Sequence, residues 1–140
     1  MTIRPADQWR TEARWAVLMA GVRPDEPAPW VTDVDRLLAR ERVVLRQAAD
    51  ERQALGRLAA GDIDLALLCG TPLADDGLNL LEAVRMQYCD LPCLLVTGET
   101  SPRTLRRALH LRAASVIGEP VDPPVLADAV RRVLHKQEWS

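Results

Sequence analysis

The stretch Ile63-Asp64-Leu65-Ala66-Leu67-Leu68-Cys69-Gly70 decides the fold. From Leu65 to Cys69 it is apolar without alternation, the pattern of a short strand covered on both faces. A strand with one face in water would alternate apolar and polar residues. Leu94-Leu95-Val96 reads the same way, and Ala16-Val17-Leu18-Met19-Ala20, Val43-Val44-Leu45 and Ser115-Val116-Ile117 complete a set of five candidate strands. Between them lie stretches of helical period. Val34, Leu37, Leu38 and Glu41 form one, with Thr32 or Asp33 as its N-cap. Asp50 caps a second, bearing Ala54, Leu55, Leu58 and Ala59 and ended by Gly61. Gly77 opens a third with Leu78, Leu81, Ala83 and Val84 on its buried side. Ser101-Pro102 starts a fourth, followed by Leu105, Leu109 and Arg112, and Asp122-Pro123 starts a fifth with Leu126, Val130, Val133 and Leu134. Strand and helix alternate throughout. The expected fold is α/β: a flavodoxin-like, doubly wound, five-stranded parallel sheet of order 2-1-3-4-5 in a three-layer αβα sandwich.

Composition narrows the function classes. The 140 residues are 48% hydrophobic and 27% charged, which excludes disordered and fibrous chains. No apolar run approaches the roughly 18 residues a membrane-spanning helix needs. Eighteen basic residues against twenty acidic argue against a domain built to grip phosphate backbones. Three cysteines fit a reduced, cytoplasmic protein better than a disulfide scaffold. There is no phenylalanine, so Leu, Val, Ile and Ala must build the core. Trp9, Trp15 and Trp30 crowd the first thirty residues, either as part of a segment docked on the body or as filler at the edge of the core.

Four motifs in fixed order carry a family resemblance. Asp64-Leu65-Ala66-Leu67-Leu68-Cys69-Gly70-Thr71-Pro72-Leu73-Ala74-Asp75-Asp76-Gly77-Leu78 resembles the third strand and following loop of response-regulator receiver domains. Leu91-Pro92-Cys93-Leu94-Leu95-Val96-Thr97-Gly98-Glu99 resembles their fourth strand with its switch hydroxyl. Leu111-Arg112-Ala113-Ala114-Ser115-Val116-Ile117-Gly118-Glu119-Pro120 resembles the fifth-strand region, and Ala48-Ala49-Asp50 with Gln53-Ala54-Leu55 the second strand-to-helix turn. The resemblance implies residues 1–14 as an N-terminal extension and 15–140 as a receiver-like domain.

The resemblance also implies site positions, and several depart from the family. The family's phosphoacceptor aspartate, eight residues before Gly77, falls at Cys69. A thiol is a soft ligand and a poor partner for magnesium. The switch lysine falls at Glu119, whose carboxylate would repel a phosphoryl group. The aromatic switch position holds Val116. Thr97 and Pro120 match, and the family bond before that proline is cis. The acidic metal-binding pair has two readings. Pro24-Asp25-Glu26-Pro27 leaves Asp25 as the second acid, or the first strand ends at Met19-Ala20-Gly21 and both acids are lost.

These departures imply a pseudo-receiver in bacterial two-component (phosphorelay) signal transduction, acting by protein–protein contact without aspartyl phosphorylation. It would be neither an enzyme nor a holder of a metal or cofactor. The expected partner is a kinase, a regulator or a second copy, met through the fourth helix, fifth strand and fifth helix. Arg103, Arg106, Arg107, Asp128, Arg131 and Arg132 are candidates for that face, or for a solvated charged face. Nucleic acid and membrane partners are not expected. With so little chain after the fifth helix, no output domain is expected either. The alternative is a redox or small-ligand sensor built on the altered pocket around Cys69. Against the redox form stand the acidic neighbours Asp75, Asp76, Glu99 and Glu119, which oppose a thiolate. Asp62 and Asp64 sit at the wrong end of the sheet for a substitute acceptor, and Asp75 and Asp76 lie on the correct loop but several residues past the strand end. Cys89 and Cys93 lack the second ligand pair of a metal site.

Overall fold

The strands are β1 (Trp15–Ala20), β2 (Val43–Ala48), β3 (Leu65–Cys69), β4 (Cys93–Thr97) and β5 (Ser115–Gly118). In the computed structural model, which describes residues 14–22, 28–70, 76–98 and 100–138, they form one parallel sheet of order β2-β1-β3-β4-β5. The helices are α1 (Pro29–Ala39), α2 (Glu51–Ala59), α3 (Asp76–Gln87), α4 (Pro102–His110) and α5 (Pro123–Glu138). This is the expected flavodoxin-like sandwich. Every residue of β3 and β4 is buried, as their unbroken apolar runs require.

Alternation of side chains across the sheet splits the core in two. Val17, Met19, Leu65, Leu67, Cys69, Leu94 and Val96 pack beneath α1 and α5 with Val34, Leu38, Leu126, Val130 and Leu134. Leu18, Ala20, Ala66, Leu68, Cys93 and Leu95 pack beneath α2, α3 and α4 with Ala54, Leu58, Leu81, Val84 and Ala108. Each large side chain so buried contributes about 1.5–3 kcal/mol. Trp15 and Trp30 flank the first of these layers as partly buried members, which is the edge-filling role. Trp9 lies outside the described residues.

Local signals set most helix ends. Asp50 accepts a hydrogen bond from Gln53 N at 2.9 Å, and Gln53 Oε1 accepts one from Ala49 N at 2.9 Å, so each side chain covers an orphan amide. Ser101 Oγ accepts from Thr104 N at 3.2 Å. Gly61, with φ of +82°, closes the end of α2. One expectation fails. Helix α1 does not start at Thr32 or Asp33; Pro29 is its first residue and Ala28 its cap, because proline suits the first helical turn and brings Val31 into the core. In α4 the buried residues are Thr104 and Ala108, whereas Leu105 and Leu109 are 43% and 74% exposed. Small side chains on the inner face fit α4 against the sheet beside Leu95 and Val116.

Arg85 supplies a polar tie that no motif announced. Its guanidinium donates to the carbonyls of Tyr88, Cys89 and Leu91 beyond α3, and to those of Leu111 (2.8 Å) and Arg112 (3.1 Å) beyond α4. One side chain therefore fixes both helix exits at the amino-terminal edge of β4 and β5.

Candidate functional site

The carboxyl ends of β1, β3, β4 and β5 converge, and the hydrogen bonds between them place the expected site positions. Gly70 N donates to Val96 O at 2.9 Å, and Glu119 N donates to Thr97 O at 3.0 Å. Cys69 ends β3 with 4% exposure, and Thr97 ends β4 with 9%. Val116 packs toward α4 with the second core layer. The Glu119–Pro120 bond is cis. Cys69, Thr97, Glu119 and Pro120 thus lie at the carboxyl end of the sheet, while Val116 sits further back in β5, opposite Leu95.

Strand β1 ends at Ala20, followed by Gly21 and Val22, which is the second of the two readings for this strand. Gly21 has φ of +92°, and a Cβ on it would lie 2.1 Å from the Cys69 carbonyl oxygen. The backbones of the two strand ends are in van der Waals contact, and no larger residue fits between them. Asp25, Asp75 and Glu99 lie outside the described residues.

The chemistry at this end is that of a protonated thiol. Burial pushes the Cys69 thiol up to about 12, and the negative charge of Glu119 adds to the effect. A neutral sulfur is a poor ligand for magnesium, which takes several hard oxygen ligands. Among the described residues no three His, Cys, Asp or Glu side chains are grouped to hold a metal. Two of the carboxylates considered as substitutes, Asp62 and Asp64, are engaged elsewhere. Asp64 accepts from Ala16 N at 2.8 Å at the opposite end of the sheet, and Asp62 lies 3.6 Å from Arg46. Cys93 is a buried member of the core, and Cys89 is exposed.

The six residues expected on one partner face are divided between separate surfaces. Arg103, Arg106 and Arg107 line a groove with Glu82, His110 and Leu111 between α3 and α4, and Arg107 pairs with Glu82. Arg131 pairs with Asp128 and lies 3.8 Å from Glu41, at the α1 side of α5. Arg132 pairs with Asp128 at 3.0 Å and borders the β5 side of α5 beside Ala114 and Ser115. Apolar side chains are also exposed on the two helices that flank β5. Leu105 and Leu109 occupy the side of α4 turned away from α3, and Val125 on α5 is 51% exposed.

Known proteins match this architecture. The family model for the response regulator receiver domain matches residues 25–131. The chain is 26% identical to the chemotaxis protein CheY4 of Vibrio cholerae, with a TM-score of 0.71 over 86% of this chain and 99% of that one. A CheY-like receiver domain protein of Methanospirillum hungatei superposes with a TM-score of 0.73 at 23% identity, over 89% and 96% of the two chains. The bacterioopsin transcriptional activator of Halobacterium salinarum is 30% identical over 124 residues, which is 89% of this chain and 17% of that protein. No described helix is long and apolar enough to cross a membrane. With the strand order, the gathered strand ends and the model match in agreement, the chain belongs to the response regulator receiver domain family.

Proposed function

We propose that this receiver acts in two-component signalling without aspartyl phosphorylation, through constitutive protein–protein contact. The observation that carries the reading is the pairing of a buried, protonated Cys69 with Glu119 at the end of β3. Phosphoryl transfer needs an ionised oxygen nucleophile, a magnesium ion and a positive group to receive the phosphoryl charge. In this reading a neutral thiol, Cys69, and a carboxylate, Glu119, take the places of the nucleophile and the positive group. The same burial weighs against the redox alternative, because sulfenic acid forms from an accessible thiolate.

The partner reading follows from the surface. Leu105, Leu109 and Val125 leave apolar area beside an unpaired strand edge, where a second copy, a kinase or a regulator can dock. We favour the second copy, since a two-fold axis across this edge pairs each leucine flank with its counterpart. Sedimentation of the full chain should show a dimer that is unchanged by acetyl phosphate with magnesium and lost in Leu105→Glu/Leu109→Glu. A dimer formed only with the phosphodonor, or one indifferent to the double substitution, contradicts the proposal.

A further inference from the structure

Helix α4 has two flanks of opposite chemistry, and the one facing α3 is cationic. Residues 100–118 hold four arginines and no aspartate or glutamate, in a chain whose net charge is −2. Three of the four, Arg103, Arg106 and Arg107, line a hollow of about 430 Å³ between α3 and α4, with His110 beside them and Leu111 at its floor. Glu82 is the carboxylate of this hollow and is paired with Arg107. Among the described residues Arg103 has no carboxylate partner, and Arg106 donates only back to Pro102 O, at 3.4 Å. Two guanidinium groups therefore face a preformed groove without counter-charge. On α3, Met86 follows Glu82 by one turn on the same face and is 82% exposed.

We infer that the α3–α4 groove is a docking site for an acidic segment of a partner protein, one that presents carboxylates and apolar side chains about a helical turn apart. This rests on the reading of the chain as a protein-contact module and adds the chemistry of the partner. Guanidinium groups bind carboxylates bidentately, which suits Arg103 and Arg106. Positions 103 to 110 span about 10.5 Å along the helix, the reach of two turns of a docked peptide. Nucleic acid fits less well. Its binding needs many phosphate contacts, whereas among the described residues this groove offers two cations without a carboxylate partner, a carboxylate at Glu82 and the apolar Leu111, with Met86 nearby on α3.

The test uses the full chain and three probes. These are a labelled peptide carrying Glu and Leu one turn apart, the same peptide with Gln for Glu, and a DNA duplex. The Glu peptide should bind, more weakly as salt rises. Binding should fall at least about tenfold in Arg103→Glu/Arg106→Glu, and not in the charge-matched Arg52→Glu/Arg57→Glu on exposed positions of α2. Failure of the Glu peptide to bind, equal binding of the Gln peptide, tighter binding of DNA, or indifference to Arg103→Glu/Arg106→Glu would each overturn the inference. The readout is peptide association, so it stands apart from the dimer and phosphorylation measurements.

Discussion

Cys69 concentrates the chemistry of this receiver in one atom. Its sulfur lies at the end of a fully buried strand, and burial together with Glu119 holds the proton on it to about pH 12. The ordinary thiol value is 9.0, so an unfolded chain releases this proton where the folded chain retains it. The associated stability is complete below pH 9 and is lost as pH rises through the folded value, at about 1.4 kcal/mol per pH unit. Cys93 is displaced the same way, to about 11, chiefly by burial. Denaturant melts from pH 8 upward should therefore show a steeper alkaline loss in the wild type than in Cys69→Ala. Equal slopes would mean that the thiol is more accessible than its position implies. The sequence located Cys69, Thr97 and Glu119 because strand ends and motif spacing fix them. It said little about Gly21, whose constraint comes from a carbonyl on a strand more than forty residues away.

Helices α2 and α5 were legible because caps and apolar period agree. Asp50 and the Pro123 start stand where the residues indicated. The start of α4 at Ser101-Pro102 was legible too, but its inner face was not, because period reports which residues share a flank and not which flank is covered. Its leucines outnumber its inner residues in area, yet tertiary packing selects Thr104 and Ala108 for the sheet. Arg85 was likewise invisible, since its five carbonyl partners come from two loops that only the fold brings together. Replacing it by Met keeps the aliphatic stem and removes every donor, leaving carbonyls beyond α3 and α4 unsatisfied. A loss of about 3 kcal/mol is expected in urea unfolding of Arg85→Met. A loss under about 0.5 kcal/mol would show that water replaces the guanidinium at no cost.

At the scale of the molecule, topology was the most legible feature. Two unbroken apolar strands, β3 and β4, can only sit inside a sheet covered on both sides, and helical stretches between all strands make it parallel. The partner surfaces were the least legible, because charge in a sequence carries no direction. Of the arginines expected at the β5 edge, Arg103, Arg106 and Arg107 line the α3 groove and Arg131 pairs with Asp128, while Arg132 borders β5. The proposed phosphorylation-independent action rests on the strand ends, where Cys69 and Glu119 stand. Intact-mass spectrometry after incubation with acetyl phosphate and magnesium tests it most directly. An unchanged mass is the result this account predicts. A phosphoryl adduct would contradict it, and would place an acceptor carboxylate on this chain.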